Sequence, residues 1–316
     1  LMNNNYFEVF RAGINSTFQD KGRSNLHHVG LPCSGAMDSR NYLIANSLLE
    51  NDLSSAVIEF AYQGPLFKYH GENINIAITG DVIFKIKRDM TEIQGSCNKS
   101  YLIKDGDEID ILSTNKSVYG YFAINGKFDL KYQWGSCSIN TKAQLGSNNG
   151  EKIYDGQKII ISKINSLKST KELKHINTKI ENIRVIKGTN YDYFSKEGIN
   201  AFFNKSFTIS RLSDRMGMRL EGHKIDNIVN TNIKSEGLIK GVVQVPADGN
   251  PIIMLSDHGT IGGYPKIGVV ISADYDKLVQ LTSGSKIKFQ EIELPEAETL
   301  YDLYQMETKN IISQIK

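Results

Sequence analysis

Cysteine is scarce in this chain. Cys33, Cys97 and Cys137 are odd in number and widely spaced, which argues against a disulfide framework and offers no paired-thiolate zinc spacing. They read as buried or incidental thiols. The six histidines include no HExxH or His-x-His pattern, so no metal site is expected. His27 and His28 are adjacent; on a strand they would point to opposite faces, so at most one would reach a site. Charge imbalance is also lacking: a formal net charge of +2 is too small to suggest a nucleic-acid or membrane surface. Apolar runs such as Ile74 to Ile78, interrupted by Asn75, are of strand length, and no stretch approaches a membrane span. The opening LMNNNYFEVF has no basic head followed by an apolar stretch, so no secretory signal is expected and the cytoplasm is the default. No Gly-x-x-x-x-Gly-Lys-Ser/Thr loop occurs, so an ATP site on this chain would need another form or a surface shared with a partner.

What is present is concentrated between Gly241 and Asp274, GVVQVPADGNPIIMLSDHGTIGGYPKIGVVISAD. Asp248-Gly249 supplies a turn between the apolar runs Val242 to Val245 and Ile252 to Leu255, as paired strands require. The second strand delivers Asp257 and His258 to its end. Gly259, Gly262 and Gly263 would permit positive φ or close approach of a ligand, and Tyr264-Pro265-Lys266 returns the chain to a third run, Ile267 to Ile271. A carboxylate, a phenol and an ammonium are gathered on one loop, although such loops are also common at solvated strand ends.

Near the N-terminus, Gly30 to Asn46 reads GLPCSGAMDSRNYLIAN. Ser34 or Asp38 could cap a helix running to about Leu49, with Tyr42, Leu43, Ala45, Leu48 and Leu49 as its apolar stripe. The helix start offers N–H groups and a favourable dipole to a carboxylate or phosphate, so Ser34, Gly35 and Asp38 are candidate binding residues. Capping explains Ser34 and Asp38 equally well. Glu59, within the apolar run VIEFA, is either a buried acid facing a site or an edge-strand residue facing solvent.

A composition of 40% hydrophobic and 23% charged residues is that of a globular protein, and the length suits two domains. Short strands punctuated by Gly and Asn dominate the first half, and Lys163 to Asn182 is lysine-rich without strand alternation. The expected organisation is a first domain over 3–165, a linker over 166–182 and a second domain over 183–316 ending in a helix from Glu296 to Ile315. Gly71 and Gly249 open similar segments, and Gly106 and Gly284 do so at the same offset. This suggests duplicated barrels, or simply two hairpins that look alike.

Several motifs together resemble one family: SGAMD (Ser34 to Asp38), IEFAYQGPLFKY (Ile58 to Tyr69), AITGD (Ala77 to Asp81), SDRMGMRLEG (Ser213 to Gly222), SEG (Ser235 to Gly237), QVPADGNPI (Gln244 to Ile252) and GGYPKIGVVISAD (Gly262 to Asp274). They resemble the C subunit of prokaryotic 5-oxoprolinase, a KipA-like or biotin-dependent carboxyltransferase-like family. That family is similar to part of the carboxyltransferase region of urea carboxylase and to allophanate hydrolase subunit 2. The resemblance spans nearly the whole chain. It implies a mainly β fold of two cyclophilin-like β-barrel domains with a few short helices and a C-terminal helix. It also implies ATP-dependent opening of 5-oxo-L-proline to L-glutamate in company with two partners, the A subunit of 5-oxoprolinase and its KipI-like B subunit, the isolated chain being inactive.

For that chemistry Lys266 would neutralise oxyanion or phosphate charge, Asp257 would orient water or accept a proton, and Tyr264 would donate a hydrogen bond. Arg215 and Arg219 would hold the substrate carboxylate, unless they pair with Asp214. Gln244, Gly262, Gly263 and Glu59 complete the expected binding set. The sequence departs from the family pattern at Gly259 and Ile261, where an amide and a hydroxyl are lost, at Cys137, where an arginine is lost, and at Arg23 to Leu26. These departures leave open another lactam or amide substrate. Two other functions also stay open: carboxyl transfer from biotin on another protein's carrier to urea or another amide, and a KipA-type regulator that binds its KipI-like partner without chemistry.

Overall fold

The computed structural model describes residues 5–167, 169–175, 177–229 and 231–315. The expected domain limits at 3 and 316, and positions 168 and 176 of the expected linker, lie outside the described residues. The chain divides into two compact units. The first comprises Leu1–Arg23, Ser34–Asn177 and Thr308–Lys316, and the second Ser24–Cys33 and Thr178–Glu307.

The first unit contains β1 (Tyr6–Arg11), β2 (Thr17–Gln19), α1 (Ser39–Ser47), β3 (Val57–Ala61), β4 (Leu66–His70), β5 (Ile74–Thr79) and β6 (Val82–Arg88). It continues with β7 (Thr91–Gln94), β8 (Lys99–Ile103), β9 (Glu108–Thr114), β10 (Tyr119–Ile124), β11 (Gly126–Phe128) and β12 (Lys158–Ile164). These strands form a seven-stranded sheet in the order β11-β12-β1-β4-β9-β6-β7 and a five-stranded sheet in the order β2-β3-β10-β5-β8. Alternate residues of the first sheet, such as Phe7 and Val9 on β1 and Phe67 and Tyr69 on β4, enter one core with Ile76, Ile78 and Phe122 of the second. Strands β3 and β10 lack alternation, being buried on both faces, as expected for strands covered on two sides. One covering element is α1, which packs on β5 and β10.

Helix α1 follows the sequence expectation in its start. Asp38 is the N-cap, its side chain accepting the N–H of Asn41 at 3.0 Å, which satisfies a donor the helix itself leaves open. The helix ends at Ser47 with Leu48 as C-cap, slightly short of the expected Leu49.

The second unit contains β13 (Asn182–Lys187), α2 (Lys196–Asn204), β14 (Phe207–Ile209), β15 (Gly217–Gly222), β16 (Glu236–Gly237) and β17 (Val242–Gln244). It continues with β18 (Ile252–Met254), β19 (Ile261–Gly262), β20 (Lys266–Val270), α3 (Ser272–Val279), β21 (Lys286–Glu291) and α4 (Leu294–Ser313), whose last residues belong to the first unit. Seven strands close a barrel in the order β13-β20-β17-β18-β15-β14-β21, and β16 pairs with β19 as a separate ribbon. The expected hairpin is β17–β18, with Val243 opposite Ile253, and the run after Lys266 is β20. Phe202 of α2 stacks on Phe289 of β21 at 4.2 Å between ring centroids, while Ala297, Leu300 and Tyr304 of α4 pack on Ile271, Ala273 and Ile292. The C-terminal helix thus packs back as expected, beginning at Leu294.

Ile74 and Ile252, the first residues of β5 and β18, keep the offset noticed in the sequence, as do Glu108 and Lys286. The pairing differs, however. Strand β9 is antiparallel to both neighbours, whereas β21 is parallel to β13. Among the described residues, no helix is long and apolar enough to cross a membrane.

Candidate functional site

The glycine-rich loop of the second unit is held at its ends by two ion pairs. At the first, β15 and β18 run antiparallel with Gly217 opposite Met254, and the ladder extends past the strands through Leu255 N–H to Met216 O and Asp257 N–H to Arg215 O. That extension sets the two side chains together. Arg215 Nε donates to Asp257 Oδ2 at 2.8 Å and Nη2 donates to Oδ1 at 3.0 Å, the bidentate geometry that fits guanidinium to carboxylate. Both side chains are largely buried. Asp257 thus accepts both hydrogen bonds of an ion pair, and Arg215 holds a carboxylate of the protein. The anticipated pairing with Asp214 is absent among the described contacts: Asp214 Oδ1 instead accepts the N–H groups of Met216 and Gly217, shaping its own turn. Arg219 lies exposed on β15.

The second pair is Lys266 Nζ with Glu236 Oε2 at 2.8 Å. The lysine side chain is only 4% exposed and the glutamate side chain 43%. The β17–β20 register shifts between Val243 and Gln244, leaving Ile267 beside Lys266 without a partner on β17, an irregularity of the kind common beside functional sites. Asn190 Oδ1 accepts the Lys266 N–H. The hydrogen bond from Lys266 holds the Glu236 carboxyl below its usual range. Sequence reasoning quoted Ser235 to Gly237 but gave Glu236 no role; the signal was a lone acid in a polar stretch.

Glu236 and Gly262 stand opposite each other on the β16–β19 ribbon. Beneath it Gln244 Nε2 donates to Tyr264 O at 3.2 Å. A Cβ on Gly262 would lie 2.6 Å from that amide nitrogen and 2.8 Å from Leu238, so a larger residue there would displace the ends of the Gln244 and Leu238 side chains. The expectation of positive φ at Gly259, Gly262 and Gly263 is not met. Tyr264 presents a ring that is 39% exposed. Gln244, Tyr264, Lys266, Gly262 and Gly263 are therefore gathered as expected, with Glu236 added.

His258 is buried, and its Nδ1 lies 2.6 Å from Gly259 O. Its ring meets His27 edge to face at 5.6 Å between centroids. His27 lies on a 3-10 turn, His27–Val29, rather than a strand, and of the adjacent pair it is the one in contact with His258. Desolvation is the main cause that lowers the pKa of His258, with the neighbouring His27 acting in the same direction. The neutral ring is thus favoured on folding. Above the ordinary value of 6.5 the folded and unfolded forms both carry a neutral ring; below it the unfolded chain binds the proton first. Stability is accordingly expected to fall on acidification below about 6.5 until the lower folded pKa is passed. Urea titrations at several pH values check this: the fall should be shallower in His258→Asn, and identical slopes would count against it.

The SGAMD segment belongs to the first unit and is satisfied by that unit's own groups. Ala36 N–H donates to Asp20 O, Met37 N–H to Glu59 Oε2 at 2.7 Å, and Asp38 N–H to Tyr121 Oη at 2.7 Å. An anion would not find these three donors open, which corrects the expectation of a ligand site on them. Glu59 is buried on β3 and anchors this loop, settling the choice between buried acid and solvent-facing edge residue. Ser34 has φ 57° and accepts from Asn140 Nδ2 at 3.2 Å. Gly35 has φ 89°, and a Cβ there would meet Lys21 and Gly22 backbone at 2.9 Å. Asp20 receives the Ser136 and Ser138 hydroxyls and the Cys137 N–H, tying the Gly-Ser-Cys-Ser turn to the same cluster.

A single family covers most of the sequence of both units. The carboxyltransferase domain family, subdomains A and B, matches residues 29–291. The chain belongs to that family. The 5-oxoprolinase C subunit of Escherichia coli is 29% identical over 297 residues, covering 92% of each chain. Its counterpart in Haemophilus influenzae is 29% identical over 293 residues, covering 93% of each. The crystal structure of the K. lactis urea amidolyase matches with a TM-score of 0.86 and 25% identity, covering 97% of this chain and 20% of that one. The fold is mainly β, as expected, and matches this carboxyltransferase architecture; of the two β-barrels expected, the second unit closes one of seven strands and the first unit's strands form two sheets.

Proposed function

We propose that this chain is the C subunit of an ATP-dependent 5-oxoprolinase, a cytoplasmic hetero-oligomer that opens 5-oxo-L-proline to L-glutamate with its A and B partners. The observation that carries this reading is the end-to-end match to two 5-oxoprolinase C subunits, covering at least 92% of both partners in each comparison. Lactam opening requires activation of an unreactive amide, by phosphorylation of its oxygen, followed by water attack at the activated carbon. No phosphate-binding loop of the Gly-x-x-x-x-Gly-Lys-Ser/Thr form occurs in the sequence, which supports a nucleotide site carried by, or shared with, a partner. The Ala36, Met37 and Asp38 N–H groups just before α1 already have protein acceptors. ATP is accordingly assigned to the partner subunits or to a surface shared with them.

The roles left to this chain are binding and charge stabilisation. The Lys266 ammonium, released by the more exposed Glu236, would stabilise a carboxylate or developing oxyanion, and Tyr264 would donate to the same ligand. Arg219, exposed on β15, would receive the substrate carboxylate. Arg215 and Asp257 would fix the loop that carries these groups. The test is glutamate formation from 5-oxoproline by this chain co-expressed with its A and B neighbours, with ATP present. Turnover by the complex and none by the isolated chain is expected; a stable complex without turnover rejects this substrate.

Carboxyl transfer to urea or another amide is the second reading, favoured by the likeness to urea amidolyase. Biotin would arrive on a carrier from another protein, and dependence of turnover on that carrier would distinguish it.

A further inference from the structure

Cys33 and His27 lie six residues apart across the turn that contains Gly30 and Pro32, and Cys33 Sγ stands 3.3 Å from His27 Nε2. With the ring hydrogen on Nδ1, Nε2 accepts the thiol hydrogen. Both residues are partly exposed. Lys240 is a further neighbour, its Nζ 4.2 Å over the Tyr275 ring, but burial disfavours its charged form, with Asp276 on α3 acting in the opposite direction. His258 faces His27 from the end of β18. A base in hydrogen-bond contact and solvent access are conditions that make a cysteine nucleophilic.

Neither of the other two thiols is described with a histidine in contact, and Cys97 matches Cys33 only in being partly exposed. Cys97 Sγ donates to Val82 O at 3.2 Å, and burial pushes its pKa up to about 11. Cys137 is fully buried, and burial, reinforced by the nearby Asp20 carboxylate, holds its thiol well above the usual range.

We infer that Cys33 is a reactive thiol activated by His27, a modification site for small disulfides beside the glycine-rich loop. The step is thiol–disulfide exchange. Cys33 Sγ attacks one sulfur of R–S–S–R, a bond forms between Sγ and that sulfur, and the R–S–S–R bond breaks. The electron pair leaves on R–S⁻, and the thiol proton passes to His27 Nε2 and then to solvent. The disulfide is the oxidant. The added group would stand on the Nε2 side of His27, whose ring touches His258, so modification reaches the loop through that contact. This holds whatever reaction the chain serves.

The experiment is exchange of the native chain with bis(nitrobenzoate) disulfide, followed by the released coloured thiolate, with mass spectrometry to locate the modified residue. One thiol per chain should react about tenfold or more faster than the rest, at Cys33. That phase should vanish in Cys33→Ser. In His27→Gln it should slow about tenfold and take the steeper pH dependence of a free cysteine peptide, whose rate falls about tenfold per pH unit below its pKa. Circular dichroism verifies that each variant is folded, and mapping on the wild type needs no variant. Fast modification located at Cys97 or Cys137, a Cys33 rate no greater than that of the peptide, or an unchanged rate in folded His27→Gln would overturn the inference.

Discussion

Arg215→Ala is expected to destabilise the chain by roughly 3–5 kcal/mol, because it leaves the Asp257 carboxylate buried without its cation. The pair joins the end of the β15–β18 ladder to the start of the glycine-rich loop, through two hydrogen bonds between side chains that are 12% and 5% exposed. Urea unfolding should show a lower midpoint with little change in slope. Replacing both partners, as Arg215→Met with Asp257→Leu, removes the stranded charge and should recover much of the loss. A single-variant loss below about 1 kcal/mol, the size typical of surface pairs, would mean that the carboxylate reaches water and that the pair does not pin the loop.

Lys266→Met should reduce turnover of the proposed 5-oxoprolinase complex about 10²-fold or more, the usual effect of deleting a group that stabilises developing charge. Methionine keeps much of the apolar stem of this buried side chain while removing the ammonium, so the fold should tolerate it better than alanine. Glu236→Gln makes a useful partner experiment: weakening the ion pair frees Lys266, and KM for an anionic substrate should fall rather than rise. Unchanged kcat in a folded, complex-forming Lys266→Met protein would remove Lys266 from the reaction and reduce its pair with Glu236 to a fastening of the β16–β19 ribbon.

The elements legible in the sequence were those encoded locally. Asp248-Gly249 between two apolar runs announces β17–β18, and Asp38 announces the start of α1, because turn and cap chemistry act over a few residues. Glu59 was ambiguous because β3 is buried on both faces and carries no alternation from which to read a side. The Arg215–Asp257 pair was hidden for a different reason: its partners are 42 positions apart and meet through strand register, which neither residue encodes alone. Glu236 was overlooked because a single acid in a polar stretch reads as solvated, and its significance comes from the buried ammonium it meets. Gly262 reads in the sequence as a point of close ligand approach, whereas its described close neighbours are the Gln244 and Leu238 side chains.

The parallel contact between β13 and β21, with Asn182 opposite Lys288, has a consequence for how the second unit is made. Its first strand has to wait for its last. During synthesis β13 and β14 each lack the neighbour that β21 will supply, so the nascent unit carries two open sheet edges until the chain beyond Glu291 has left the ribosome. Closing so long a loop is entropically costly and intrinsically slow. The period of exposure to proteolysis and mispairing therefore lasts until β21 has emerged, and truncation upstream of Lys286 would make that transient state permanent.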